Sequence, residues 1–200
     1  AGLVLSDRDA LNAAAVDLRA MDAKTNDPGK YRFEKMIAGV YLGRIGLEVY
    51  REAAKERFFS PAAAQRLARL DALESMDFDN FCAGIRKAGR ANPLEAIFTD
   101  AADAAMARRL GSPVFERAAI LTAVHLAAFI IKTGGGTNPN APVCVNVDGS
   151  TYYKTRTVDF PSVVKAELDA ILKPRNVSYA LTYVDDAPMV GAAVAALLKN

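Results

Sequence analysis

One histidine and two cysteines in 200 residues leave little material for metal or thiol chemistry. His125 stands inside an apolar stretch, where a packed histidine outweighs a catalytic base. Cys82 and Cys144 lie far apart and match no metal or disulfide spacing. So few cysteines suit a reducing compartment, and the expected location is cytoplasmic. An excess of one charge is also lacking: 25 Lys and Arg face 23 Asp and Glu, a formal net charge of +2. That balance gives no steering field for nucleic acid, and no basic stripe carries the interleaved aromatics of a single-strand binder. No signal peptide is expected ahead of Ser6 to Asp9. The longest uncharged apolar run, Ala118 to Ile131, is too short to cross a bilayer and reads as a buried core helix. Neither nucleic acid nor membrane is therefore an expected partner.

What is present suits a globular chain of one domain, or at most two small ones, with 52% apolar and 24% charged residues. Residues 1–140 read as mainly helical. Asp7 or Asp9 opens a helix through Leu11, Val16, Leu18 and Met21, closing near Thr25-Asn26. Asp27-Pro28 has the form of a cap followed by proline at the first helical position, starting a helix to about Arg57. Ser60-Pro61, Asn92-Pro93 and Ser112-Pro113 repeat that signature. They predict a short helix through Leu70, a restart before an alanine-rich helix from Thr99 to Leu110, and an apolar helix from Val114 to Lys132. Phe78, Phe81 and Ile85 suggest another, ending near Gly89. Gly134-Gly135-Gly136 has no strand before it and no Lys-Ser/Thr after it, so it reads as a helix stop rather than a phosphate cradle.

Residues 141–200 change period. Val143 to Val147 is a valine-rich run fit for a mostly buried strand. Asp148-Gly149 has hairpin-turn chemistry, predicting an antiparallel return over Thr151 to Lys154. The apolar stripe Phe160, Val163, Val164, Leu168, Ile171 and Leu172 is helical, and Tyr179 to Val184 is a second strand. A strand, a crossover helix and another strand imply parallel pairing. Asp186 and Pro188 cap a final helix, Met189 to Leu198. The order is strand, hairpin, helix, strand, helix.

The most informative stretch is Tyr31 to Ile45, Tyr-Arg-Phe-Glu-Lys-Met-Ile-Ala-Gly-Val-Tyr-Leu-Gly-Arg-Ile. Phe33, Met36, Ile37, Val40, Tyr41 and Ile45 recur at helical spacing, and Gly39 and Gly43 permit close packing. The string resembles the Phe/Tyr-Glu-Lys-Met-Ile-Ser-Gly-x-Tyr-Leu-Gly-Glu segment of the hexokinase family, with Arg44 where that family has glutamate. Val16-Asp17 and Met21-Asp22, before the turn Asn26-Asp27-Pro28-Gly29, resemble the pair that precedes the family's Asn-Pro-Gly. Leu73-Glu74-Ser75, Val114 to Ala119, Val145 to Lys154 and Asp186 to Ala193 extend the likeness in order over about 180 positions.

The resemblance implies the ribonuclease H-like, actin-like ATPase fold of hexokinases, an α/β domain, here helix-rich with a partial mixed sheet. It implies ATP-dependent phosphorylation of a hexose by the full-length enzyme, with ATP and Mg²⁺ as cofactors. Glu34 and Glu74 would bind the sugar, each carboxylate accepting neighbouring hydroxyls. Asp148, Gly149, Ser150, Met189 and Gly191 would approach the nucleotide. The family's glycine-rich phosphate loop, general-base aspartate and Asn-Asp and Asn sugar ligands are expected upstream of Ala1. No catalytic residue or metal ligand is then expected in this chain, which would be inactive alone, need the N-terminal part of its enzyme as partner, and be open to self-association. Pro188-Met189-Val190 stands where the family has Ser-Gly-Lys, losing an amide donor and a cation. That departure supports a second reading, a non-catalytic sugar-responsive or interaction module. A third is an unrelated helical binding domain.

Overall fold

The computed structural model describes residues 18–184 and 187–197, the latter without the side chains of 187 and 188. The expected helix start at Asp7 or Asp9, the Val16-Asp17 pair and the Asp186 cap lie outside the described residues.

Residues 18–22 are helical and lead into a turn. There follow α1 (Arg32–Ile37), α2 (Gly39–Lys55), α3 (Pro61–Leu67), α4 (Ser75–Cys82), α5 (Pro93–Ile97) and α6 (Ala101–Thr133). The chain then forms β1 (Val143–Asn146), α7 (Ser150–Lys154), α8 (Phe160–Leu172), a 3₁₀ turn (Lys173–Arg175), β2 (Tyr179–Thr182) and α9 (Ala187–Leu197). Two of the proline signatures start helices as expected. Ser60 Oγ accepts from the Ala63 amide at 3.2 Å, and Asn92 Oδ1 from the Leu94 amide at 3.0 Å.

The third does not. Ser112-Pro113 lies inside a single 33-residue helix rather than at the head of a new one. A proline in a helix interior costs about 3 kcal/mol. Val114 and Phe115 follow it directly and are buried, each contributing about 1.5–3 kcal/mol. Just before it, Gly111 lies so close to Tyr50, Cys82 and Phe78 that a methyl group would overlap all three. Packing on both sides of Pro113 thus overrides the local signal. At 33 residues α6 is long and apolar enough to cross a membrane by length and composition, longer than the Ala118–Ile131 run suggested. In this fold it is the central helix, packed against α8, α2, α4 and α1.

An aromatic cluster joins the helices. Tyr50 is fully buried, and its ring meets Phe59, Phe78 and Phe98 edge-on at 6.0, 5.7 and 5.4 Å. Its hydroxyl donates to the Ala107 carbonyl at 2.9 Å, which satisfies the one polar atom in the cluster.

Two expectations about the C-terminal part separate here. β1 and β2 pair in parallel, Val143 with Tyr179 through Asn146 with Thr182, as a crossover requires. The hairpin is absent: after Asp148 the chain enters helix α7, and the described sheet is two-stranded and parallel, not mixed. Gly149 adopts φ +148°, which glycine accepts readily, but the next residues coil instead of returning. Tyr153 Oη ties that coil back to the Val147 carbonyl at 3.1 Å.

Candidate functional site

Tyr31 to Ile45 is two helices rather than one. Ala38 is extended (φ −74°, ψ 131°), so α1 ends at Ile37 and α2 begins afresh at Gly39. Nor does Asp27-Pro28 open a helix; it forms a turn, and Tyr31 precedes α1 in the left-handed region at φ +53°. Val40, expected on the apolar stripe, is consequently exposed.

The cause is Lys35. Its ammonium is buried, with 2% of the residue exposed, and donates to Asp22 Oδ1 at 2.5 Å, Asp27 O at 2.7 Å and Thr25 Oγ1 at 2.8 Å. Asp22 Oδ2 accepts from the Gly29 amide at 2.7 Å. Hydrogen bonds from Lys35 and Gly29 hold the Asp22 carboxyl below the usual carboxylate range. Lys24 reaches from this turn to Glu48 of α2 at 2.5 Å, and Arg51 meets the same oxygen at 2.6 Å. Burial pushes the Glu48 carboxyl up, but these two cations outweigh it and the net shift is downward.

With Lys35 turned inward, its neighbour Glu34 faces outward into a cleft of about 310 Å³. Thr25, Asn26, Asp27, Tyr31, Lys35, Val40, Tyr41 and Arg44 line the cleft with it. The volume lies at the low end of small-molecule sites. Hydroxyl, amide and carboxylate groups stand beside two aromatic rings, a combination that can hydrogen-bond a polyol edge and cover its C–H face. The Arg44 guanidinium lies 5.8 Å from the centre of the Tyr41 ring, within cation–π range.

Glu74 immediately precedes α4 and is exposed. Gly43 brings its segment onto α2. The Gly43 amide donates to Ser75 Oγ at 2.8 Å, and a Cβ on Gly43 would meet the Ser75 nitrogen and the Glu74 carbonyl carbon at 2.6 and 2.7 Å. Glu74 is not, however, among the residues that line the Glu34 cleft. One turn earlier on α2, Gly39 packs against Thr151 in the same intimate way. The two glycines therefore gather the Glu34 helix, the Glu74 segment and the start of α7 around one end of α2.

Asp148, Gly149 and Ser150 follow β1, and Met189 and Gly191 lie on α9 after β2. Because the strands run parallel, these two connections leave the same, carboxyl end of the sheet, where open α/β sheets bind ligands. Asp148 and Ser150 are exposed, and Met189 is 70% exposed. Asp79 of α4 joins this region to the Glu74 element: its buried carboxylate accepts from the Arg156 amide at 2.9 Å, the Thr157 amide at 2.9 Å and Thr157 Oγ1 at 2.7 Å. Among the described residues no three His, Cys, Asp or Glu side chains converge to hold a metal ion. His125 is packed, with its ring centre 4.9 Å from Phe33 and 4.8 Å from Phe129.

Sequence reasoning named Glu34 but not its companions in the cleft, Thr25, Tyr31 and Tyr41 among them. The available signal was the Asn26-to-Gly29 turn and the odd residue Arg44, both present in the string. The burial of Lys35 had no such signal, because a lysine among charged neighbours reads as solvated.

The α/β arrangement is a portion of the actin-like ATPase fold of hexokinases, as its structural neighbours show. The chain superposes on a hexokinase from Schistosoma mansoni complexed with glucose, with TM-score 0.62 and 24% identity, over 84% of this chain and 38% of that one. It superposes on another hexokinase crystal structure with TM-score 0.64 and 26% identity, over 85% and 37%. The sequence model of the hexokinase family matches residues 9–198. This chain belongs to the hexokinase family. It is 31% identical to human hexokinase-2 over 140 residues and 31% identical to rat hexokinase-2 over 148 residues. Those matches span 67% and 68% of this chain but only 15% of each relative's length.

Proposed function

We propose that this chain forms the sugar-holding part of an enzyme that phosphorylates a hexose with ATP. Glu34 and Glu74 accept hydroxyl hydrogens of a glucose-type pyranose. Asp148, Gly149, Ser150, Met189 and Gly191 lie along the nucleotide's path. In the whole enzyme a hydroxyl oxygen of the sugar attacks the γ-phosphorus, the bond to the ADP oxygen breaks, and the hydroxyl proton passes to a base outside this chain. ATP is carried with Mg²⁺, which offsets charge on the phosphates. The part played by this chain is orientation, which lowers the barrier by fixing the reacting hydroxyl. The setting is cytoplasmic, and the chain alone turns over no ATP.

The observation that carries this reading is the outward carboxylate of Glu34 in a polar, aromatic-walled cleft on a chain of this family. Titration of glucose into the 200-residue chain by saturation-transfer NMR, with a coupled assay for ADP, tests it. Glucose binding without ADP release is the expected result. Failure of glucose, mannose and fructose alike to bind would overturn the reading. Pro188-Met189-Val190, where the resemblance places Ser-Gly-Lys, lacks an amide donor at Pro188 and a cation at Val190, and this favours a second reading in which the protein binds sugar but transfers no phosphate even when whole.

A further inference from the structure

We infer that Asp22 and Lys35 form a latch that sets the pose of the Glu34 cleft, making both positioning residues for hexose binding. This inference rests on the sugar reading above and adds to it Asp22, which does not line the cleft, and Lys35, which lines it but commits its ammonium to Asp22, Asp27 and Thr25.

The turn from residue 25 to residue 31 supplies Thr25, Asn26, Asp27 and Tyr31 to the cleft wall. It is not a relaxed turn. Gly29 has φ +83° and Tyr31 φ +53°, and a non-glycine residue in that region is strained. Such a conformation persists only where its surroundings impose it. Asp22 grips the turn through the Gly29 amide, and Lys35 grips it through Asp27 O and Thr25 Oγ1. The two are joined to each other by the Lys35–Asp22 ion pair. All three ammonium hydrogens of Lys35 are thereby used, so its side chain has one direction open to it. Since Glu34 precedes it on α1, that direction also fixes the face on which Glu34 emerges.

A buried ion pair is weak support for stability, since apolar replacements are often neutral. It is stronger as a device that selects one geometry. The Lys24–Glu48 pair connects the same turn to α2, which carries the Val40, Tyr41 and Arg44 wall, so both sides of the cleft refer to one scaffold.

The test compares the 200-residue chain with Lys35→Met, Asp22→Asn and the double variant, measuring glucose affinity by NMR and amide hydrogen exchange residue by residue. Lys35→Met alone leaves the buried Asp22 carboxylate with only the longer Arg32 pair, at 3.7 Å, and so endangers folding; the double variant removes both charges and avoids this. In the double variant we expect glucose affinity to fall at least tenfold and Gly29 exchange to accelerate at least tenfold. Exchange along α6 should stay within twofold, and the loss should not exceed that of the worse single variant, because the two residues act as a unit. Unchanged Gly29 exchange with unchanged affinity in the folded double variant overturns the inference. So does acceleration in α6 equal to that at Gly29, which would make the pair a general stabiliser. If the unaltered chain binds no hexose, the sugar reading fails separately, and Gly29 exchange alone then decides whether the latch exists.

Discussion

The amide of Gly43 donates a hydrogen bond to Ser75 Oγ at 2.8 Å, joining residues 32 positions apart where helix α2 meets the segment of Glu74. A side chain on Gly43 has no space, for its Cβ would overlap backbone atoms of Glu74 and Ser75 that cannot rotate away. Gly43→Ala should therefore destabilise the fold by about 1–3 kcal/mol and shift Glu74. Urea unfolding gives the first quantity, and amide chemical shifts at residues 73–76 give the second. A neutral, unshifted variant would mean that α2 and the Glu74 segment are not in register as described.

Asp79 links the Glu74 helix to the loop after α7 through buried bonds to Arg156 and Thr157. Hydrogen bonds to a charged acceptor contribute about 1.5–3 kcal/mol each, though shared ones do not add. Asp79→Ala should cost roughly 2–4 kcal/mol and expose the amides of 156 and 157 to exchange. The check is again chemical unfolding, with hydrogen exchange read at those two sites.

The two thiols should differ in reactivity. Burial pushes the Cys82 thiol up to about 12, while Cys144 is exposed on β1. At pH 8, DTNB should modify one thiol per chain promptly and the second only as the protein unfolds. Cys144→Ser should abolish the fast phase; a fast phase surviving in that variant would place Cys82 at the surface.

The latch also implies a dependence on pH. The folded Asp22 carboxyl lies below its ordinary value near 3.9 because Lys35 and Gly29 bond its charged form. Its contribution is complete above that ordinary value and is lost as pH falls through the lower, folded one. Gly29 should stay protected from exchange at pH 5, after correction for intrinsic exchange rates, and lose that protection only as pH falls below the ordinary carboxylate range. Asp22→Asn should remove this transition from the Gly29 profile.

Ser60-Pro61 and Asn92-Pro93 show what was legible in the chain: the cap and the proline act within one turn, so local chemistry decides the start of a helix. Ser112-Pro113 carries the same letters and starts nothing, because Gly111 and Phe115 are committed to the core on either side of it. Asp148-Gly149 likewise satisfies a hairpin rule but ends a strand whose partner comes from residues 179–182, beyond the reach of a local rule. The Glu34 string was recognisable residue by residue. The inward turn of Lys35, which aims Glu34, depends on Asp22 thirteen residues away and was not.

The reading of Glu34 and Glu74 as sugar ligands is tested most directly by glucose titrations of the unaltered, Glu34→Gln and Glu74→Gln chains. Each substitution removes a charged acceptor, about 1.5–3 kcal/mol, so each should weaken glucose binding by roughly 10- to 150-fold with unfolding curves unchanged. If both folded variants bind glucose as tightly as the unaltered chain, the sugar lies elsewhere and the assignment of the cleft is wrong.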